Sequence, residues 1–411
     1  MNARFTGRAA LWDALWGALW ARRDVLAAGC LLGIPFGALR PLWAETNPVT
    51  FPAILNDFHQ IWIPARINGS PVLWCELDSG GGGALVFIDA ETAVAIGVRA
   101  ERLGQSAGVA QGQLAADGRA QVTVEFPGLR LDRQELVIKP TPLGKDGIVA
   151  LANFRRWVTE MDYETPAVRL HELAGFHYGG PGEAVPLAIE QTNPVAEVRL
   201  LLGAESAPGP EIRGRFVVDT GAAGSIAYLS TSFVERMRLA DRNLQWVPDS
   251  MGLSAARIRR FAVGPYAVDQ AVIRRLPARG FGGTAEPDGM IGVEFLRRFR
   301  LFFDYPGQRL IMEPNRSYPD PSRFDASGLR VYKEAPGKRG LKVFLVAPGT
   351  PAAEAGVREG DVLLALDHTA VDLISAGRVA ELLMDEGSER TLLIERGTQI
   401  LTVRLKLRHL L

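Results

Sequence analysis

Cysteine is almost absent from this chain: Cys30 and Cys75 are the only two in 411 residues. If the N-terminal stretch is removed, Cys75 alone remains and no internal disulfide can staple the mature protein. Cys75 stands three residues before Asp78 in an apolar run, and reads as a small buried side chain rather than a reactive thiol. Histidine is scarce as well. His59, His171, His177, His368 and His409 show no ligand spacing, so neither a metal site nor a cofactor is expected. Net charge is missing too, since Lys+Arg and Asp+Glu both number 46. That balance gives no reason to expect nucleic acid as a partner. The remaining composition, 47% hydrophobic and 22% charged, is that of a folding sequence. The length exceeds one ordinary core and implies about two to four domains.

Residues 1–44 read as an export leader or membrane anchor. Trp12, Trp16 and Trp20 recur four apart, Arg22-Arg23 follow, and an apolar run extends from Val25 to Leu39. The run is short of the about 20 residues that a bilayer span prefers. Paired arginines before a glycine-containing apolar region resemble a twin-arginine export leader. An exported protein is therefore expected, either periplasmic or anchored to the inner membrane and facing outward.

From Ile61 the chain breaks into short strand-like runs separated by Gly, Pro and Asn turns. Asn68-Gly69 is a hairpin signal that aims the next strand at Asp78. That strand ends in Leu77-Asp78-Ser79-Gly80, and a second apolar run ends in Val218-Asp219-Thr220-Gly221. Asp-Ser/Thr-Gly alone carries little weight, but the surroundings repeat. Asp146-Gly147-Ile148-Val149, Arg155-Arg156 and Asp162-Tyr163 in the first segment match Asp288-Gly289-Met290-Ile291, Arg297-Arg298 and Asp304-Tyr305 in the second. The motif aspartate precedes the repeated glycine by 69 residues in one copy and 70 in the other, and Asp-Tyr by 84 and 85. Features in register over such distances mark a duplicated domain. Each copy needs little helix beyond a short one after Ala90, so both read as mainly β.

The duplicated pattern resembles the pepsin and retropepsin aspartic proteases, in particular the bacterial retropepsin-like branch, over about residues 55–315. The resemblance implies two acid-protease β-barrel lobes, at 45–180 and 181–320. Asp78 and Asp219 would then be the catalytic pair, sharing one proton. Ser79, Gly80, Thr220 and Gly221 would support their loops, and Ile148-Val149 and Met290-Ile291-Gly292 would cross beneath them. Lobe one departs from the family at Ala150, where glycine is the rule, and at Gly81, where Ala or Ser is usual. A methyl at residue 150 would crowd the loop beneath Asp78, with Gly81–Gly83 as the relief. A flap over the cleft is expected from Gly104 to Gly118. Asp162 and Asp304 read as turn residues.

Beyond Pro314, Pro319 and Pro321 lies Gly340-Leu341-Lys342-Val343-Phe344-Leu345-Val346-Ala347-Pro348-Gly349-Thr350-Pro351-Ala352, followed by Gly360-Asp361. This resembles a PDZ domain, a small α+β module covering 321–411. The resemblance assigns Gly340, Leu341, Lys342 and Val343 to the carboxylate-binding loop and peptide-accepting edge strand, with 376–384 as the opposite wall. The sequence thus points to an aspartic endopeptidase acting on extended polypeptides, expected as a monomer. Its PDZ domain would bind substrate or a protein C-terminus, or regulate access. The alternative is a peptide-binding scaffold derived from such a protease and no longer catalytic, for which Ala150 and Gly81 speak. A second alternative pairs Asp219 across a homodimer.

Overall fold

The computed structural model describes residues 48–99, 118–139, 146–204, 207–239, 244, 246–248, 253–276, 287–332 and 338–411. The leader and residues 104–117 of the expected flap lie outside them. Among the described residues no helix is long and apolar enough to cross a membrane.

Asn68 and Gly69 both take positive φ, 49° and 75°, and turn the strand Ile61–Ile67 back into Leu73–Asp78. Leu73–Asp78 lies parallel to Gly147–Ala150, which in turn pairs with Val86–Ile88. The strands Leu129–Ile138 and Gly118–Phe126 continue the sheet. Pairing of Arg66 with Glu125 then closes it on Ile61–Ile67, giving a barrel of six strands. The second barrel repeats the circuit with Asn193–Ala204, Ala207–Val218, Gly289–Ile291, Ala227–Leu229, Tyr266–Arg275 and Ser254–Val263, and closes where Val198 meets Val263. The short helix after Ala90 spans Ala90–Ala95, with the Asp89 side chain accepting from Thr92 N as its cap.

The repeated Asp-Tyr strands join the two lobes. Trp157–Asp162 pairs antiparallel with Phe299–Asp304, Met161 opposite Leu301, at the centre of a six-stranded sheet. Asp162 Oδ1 accepts the N–H of Glu164 and Thr165, and Asp304 Oδ1 that of Gly307, so both carboxylates shape their turns. One apolar core runs through both lobes, with Phe51, Phe126 and Phe154 in ring contact in the first, the first two stacked, and Phe216, Phe261, Phe295 and Phe299 meeting edge-on or tilted in the second. Each such fully buried ring contributes roughly 1.5–3 kcal/mol. The proline-marked linker is strapped to lobe two. The buried Arg298 guanidinium donates to the carbonyls of Tyr318 and Asp320.

The C-terminal unit has its own core and a sheet in the order Leu329–Tyr332, Leu341–Val346, Val362–Leu366, Glu389–Arg396, Gln399–Lys406. It touches lobe two where Phe324 packs with Ala255, Val272, Leu410 and Leu411. It touches lobe one where Gly377 meets Asp57 closely enough that a side-chain carbon at 377 would overlap it. The whole is mainly β, two closed six-stranded barrels followed by a PDZ region.

Candidate active site

Each motif aspartate ends a strand that the later crossing segment supports. Asp146 Oδ2 accepts from Trp74 N and Asp288 Oδ2 from Arg215 N, both at 2.8 Å, which explains the aspartate repeated before each Gly147/Gly289. Ala150 N donates to Leu85 O and Gly292 N to Ile226 O, each at 2.9 Å, so residues 150 and 292 are equivalent. The two loops are then tied across the lobes. Ser79 Oγ donates to Val218 O (2.7 Å) and accepts from Thr220 N (3.0 Å). Thr220 Oγ1 donates to Leu77 O (2.8 Å) and accepts from Ser79 N (3.0 Å). Both hydroxyls are fully buried, and every one of their bonds crosses from one lobe to the other.

This lattice sets the Asp78 and Asp219 carboxyls against each other, close enough for the charge of one to act on the other. Asp78 Oδ1 accepts from Gly80 N (2.7 Å) and Gly81 N (2.9 Å), and Asp219 Oδ1 from Gly221 N (2.8 Å). The glycines are required by the opposite lobe. A Cβ at Gly80 would lie 2.5 Å from Asp219 Cγ, and one at Gly221 would lie 2.9 Å from Asp78 Cγ. Burial pushes the Asp219 carboxyl well above the ordinary range, and the charge of Asp78 pushes it further. Burial raises Asp78 too, while the Gly80 N–H, Asp219, the Gly81 N–H and the Lys139 ammonium oppose the rise. Two like charges this close do not ionise together, so the pair titrates as a unit. Lys139, half-buried over the Phe87 ring at 3.9 Å, has no sequence motif to announce it. Tyr163 and Tyr305 of the Asp-Tyr repeats are buried close enough for their hydroxyls to feel the charges of Asp219 and Asp78 respectively.

The structure accommodates both departures in lobe one. In lobe two a Cβ at Gly292 would overlap the carbonyl of Ser225 and come 2.8 Å from that of Ala222. In lobe one the Ala150 methyl packs fully buried among Ala84, Phe87, Val137 and Ile148. The Ala84 carbonyl, equivalent to Ser225, accepts instead from Asn153 Nδ2 at 3.2 Å. Gly81 is needed where it stands, because a Cβ there would lie 2.9 Å from Asp78 Oδ2. Gly83, at φ 93°, supplies a turn closed to most side chains. Cys75 is fully buried, and burial drives its thiol far up, as for an inert core residue.

In the C-terminal unit the expected peptide-accepting strand must be corrected. Leu341–Val346 is an interior strand, paired with Leu329–Tyr332 on one side and with Val362–Leu366 on the other. The backbone of Leu341, Lys342 and Val343 is engaged on both sides, and Gly340 N already donates to the Asp372 carboxylate at 3.1 Å. Gly340, Leu341, Lys342 and Val343 therefore cannot add a peptide strand. The sheet edge on this side is Leu329–Tyr332, and Ala376–Leu382 packs beside it. The preceding turn is built on Asp325, whose carboxylate accepts from Ser327 N and Gly328 N. The Ser327-Gly328-Leu329-Arg330-Val331 run, one hairpin earlier than the segment singled out, was the signal available.

Residues 343–396 match the family model described as PDZ domain. No curated protein matches the chain. Among solved structures, the aspartic proteinase from Irpex lacteus superposes with a TM-score of 0.46 at 12% identity, covering 67% of this chain and 99% of that one. What the comparisons establish for this chain is thus a PDZ domain at 343–396, beside two β barrels whose own geometry supplies the site.

Proposed function

We propose that this protein is an aspartic endopeptidase that hydrolyses extended polypeptides with Asp78 and Asp219, one from each lobe. The observation that carries the reading is geometric: the loops of Asp78 and Asp219 are locked across the lobes by Ser79 and Thr220, and each motif glycine lies against the opposite carboxyl. The ionised member takes a proton from water as it attacks the scissile carbonyl, and the protonated member donates to the carbonyl oxygen. Asp78 Oδ1 accepts two backbone N–H groups, from Gly80 and Gly81, where Asp219 Oδ1 accepts that of Gly221, and the proposal accordingly takes Asp78 as the base and Asp219 as the acid. The scaffold alternative leaned on Ala150 and Gly81, and the packing around both favours the enzyme. The proposal extends to an exported monomer, with residues 1–44 as leader or anchor.

The test is incubation of the purified chain with an unfolded polypeptide from acidic to neutral pH. Cleavage is expected while the pair holds one proton, and it falls as pH rises through the raised value of Asp219. No cleavage anywhere in that range overturns the reading. The PDZ domain is proposed to hold substrate, or a protein C-terminus, along Leu329–Tyr332. In an NMR titration with an extended peptide, amides of 329–332 and 376–382 should shift, and those of 341–346 should respond only weakly.

A further inference from the structure

A loop outside every repeated motif reaches the carboxyl pair. Asn56 Oδ1 accepts from Phe58 N (3.0 Å) and Gln60 N (2.9 Å), and Asn56 Nδ2 donates to Gln60 Oε1 (2.7 Å). With its oxygen held there, the Gln60 amide turns its two N–H donors inward. Nε2 donates to Glu76 Oε1 and, at 2.7 Å, to the carbonyl of Gly221 in the other lobe. Gln60 and Glu76 are 3% and 1% exposed. Glu76 precedes Asp78 by two on the same strand and so shares its face. A Cβ at Gly221 would lie 3.0 Å from both Glu76 Oε1 and Asp78 Oδ1. Gly221 is consequently fixed at both ends, its N–H on Asp219 Oδ1 and its carbonyl on Gln60.

The device has no mirror image. Trp62 pairs with Glu76 as Val195 pairs with Val217, so the counterparts of Glu76 and Gln60 are Val217 and Asn193. Lobe one therefore holds the aspartate loop of lobe two through a buried polar pair that lobe two does not return. We propose that Gln60 and Glu76 are positioning residues, which set the Asp219 carboxyl against Asp78 by holding the Gly221 carbonyl. The proposal rests on the endopeptidase reading above.

The experiment compares Gln60→Leu, Glu76→Val and Glu76→Gln in the full chain, each confirmed folded by circular dichroism and thermal unfolding, on a fluorogenic peptide that the wild type cuts. Gln60→Leu and Glu76→Val are expected to lower kcat by about 10- to 100-fold with KM within about 2-fold, since a small misplacement of the pair acts on the chemical step. Glu76→Gln keeps an oxygen for Gln60 Nε2 and is expected to recover most of the loss seen with Glu76→Val. The double variant Gln60→Leu/Glu76→Val should be little worse than either single one. An unchanged kcat in folded Gln60→Leu overturns the proposal and leaves the endopeptidase reading standing. If the wild type cuts nothing, that reading fails by itself, and the positioning role is read from hydrogen exchange at Gly221. There Gln60→Leu should speed exchange by roughly 10-fold or more, and equal protection overturns it.

Discussion

Asp219→Asn is expected to abolish the proposed peptide-bond cleavage, lowering kcat/KM by about 10³-fold or more, and at the same time to make the folded protein more stable on the alkaline side. The first effect follows because an amide cannot donate and recover the proton that the proposed mechanism draws from Asp219. The second follows from the direction of its shift. Burial and the charge of Asp78 raise the Asp219 carboxyl in the folded state. A raised carboxyl contributes stability below its unfolded value and loses it as pH rises through the folded one. Asparagine carries no charge at any pH, and its side-chain oxygen can still accept from Gly221 N, so the alkaline penalty disappears. Asp78→Asn should be as inactive, because the geometry assigns one carboxyl to each lobe. Retained activity in Asp78→Asn would point to Asp219 pairing across two chains.

Thr220→Val is expected to destabilise the two-lobe body by about 3–5 kcal/mol, with loss of activity in the surviving folded fraction. Valine has the shape of threonine, so packing is kept and only the hydroxyl is lost. That hydroxyl serves Ser79 N and Leu77 O, both buried at the junction of the lobes. Each orphaned group costs about 1–3 kcal/mol. Thr220→Ser keeps the hydroxyl and should recover most of the stability. Thermal unfolding of the three proteins decides the matter: a Thr220→Val protein as stable as the wild type would mean that the Thr220 hydroxyl adds nothing to the shared sheet and core that join the lobes.

The duplication was legible because it is written in side chains that do local work. Asp146 and Asp288 cap the strands leading to the motif aspartates, and Asp162 and Asp304 shape turns. The turn and helix of the PDZ domain were legible in Pro348-Gly349-Thr350-Pro351-Ala352 for the same reason. Which strand forms its edge was not, since Leu329–Tyr332 and Leu341–Val346 both follow a glycine and only the sheet order separates them. Ala150 looked like a defect because the compensation comes from Asn153 and from glycines some 70 residues earlier. Gln60 and Glu76 left no signal, because their meaning lies in a carbonyl 161 positions from Gln60. Lys139 acts on Asp78 from the end of a different strand and was silent for a like reason.

The central claim is that two lobes of one chain hold Asp78 and Asp219 as a single proton-sharing pair. A carbon-13 NMR titration of the aspartate carboxyls, assigned with Asp78→Asn and Asp219→Asn, tests it most directly. The expected result is one proton retained by the pair at a pH where ordinary aspartates are fully ionised, with the Asp219 value falling when Asp78 is replaced, because the charge of Asp78 helps to raise it. Two independent carboxyls that both ionise in the ordinary range would contradict it.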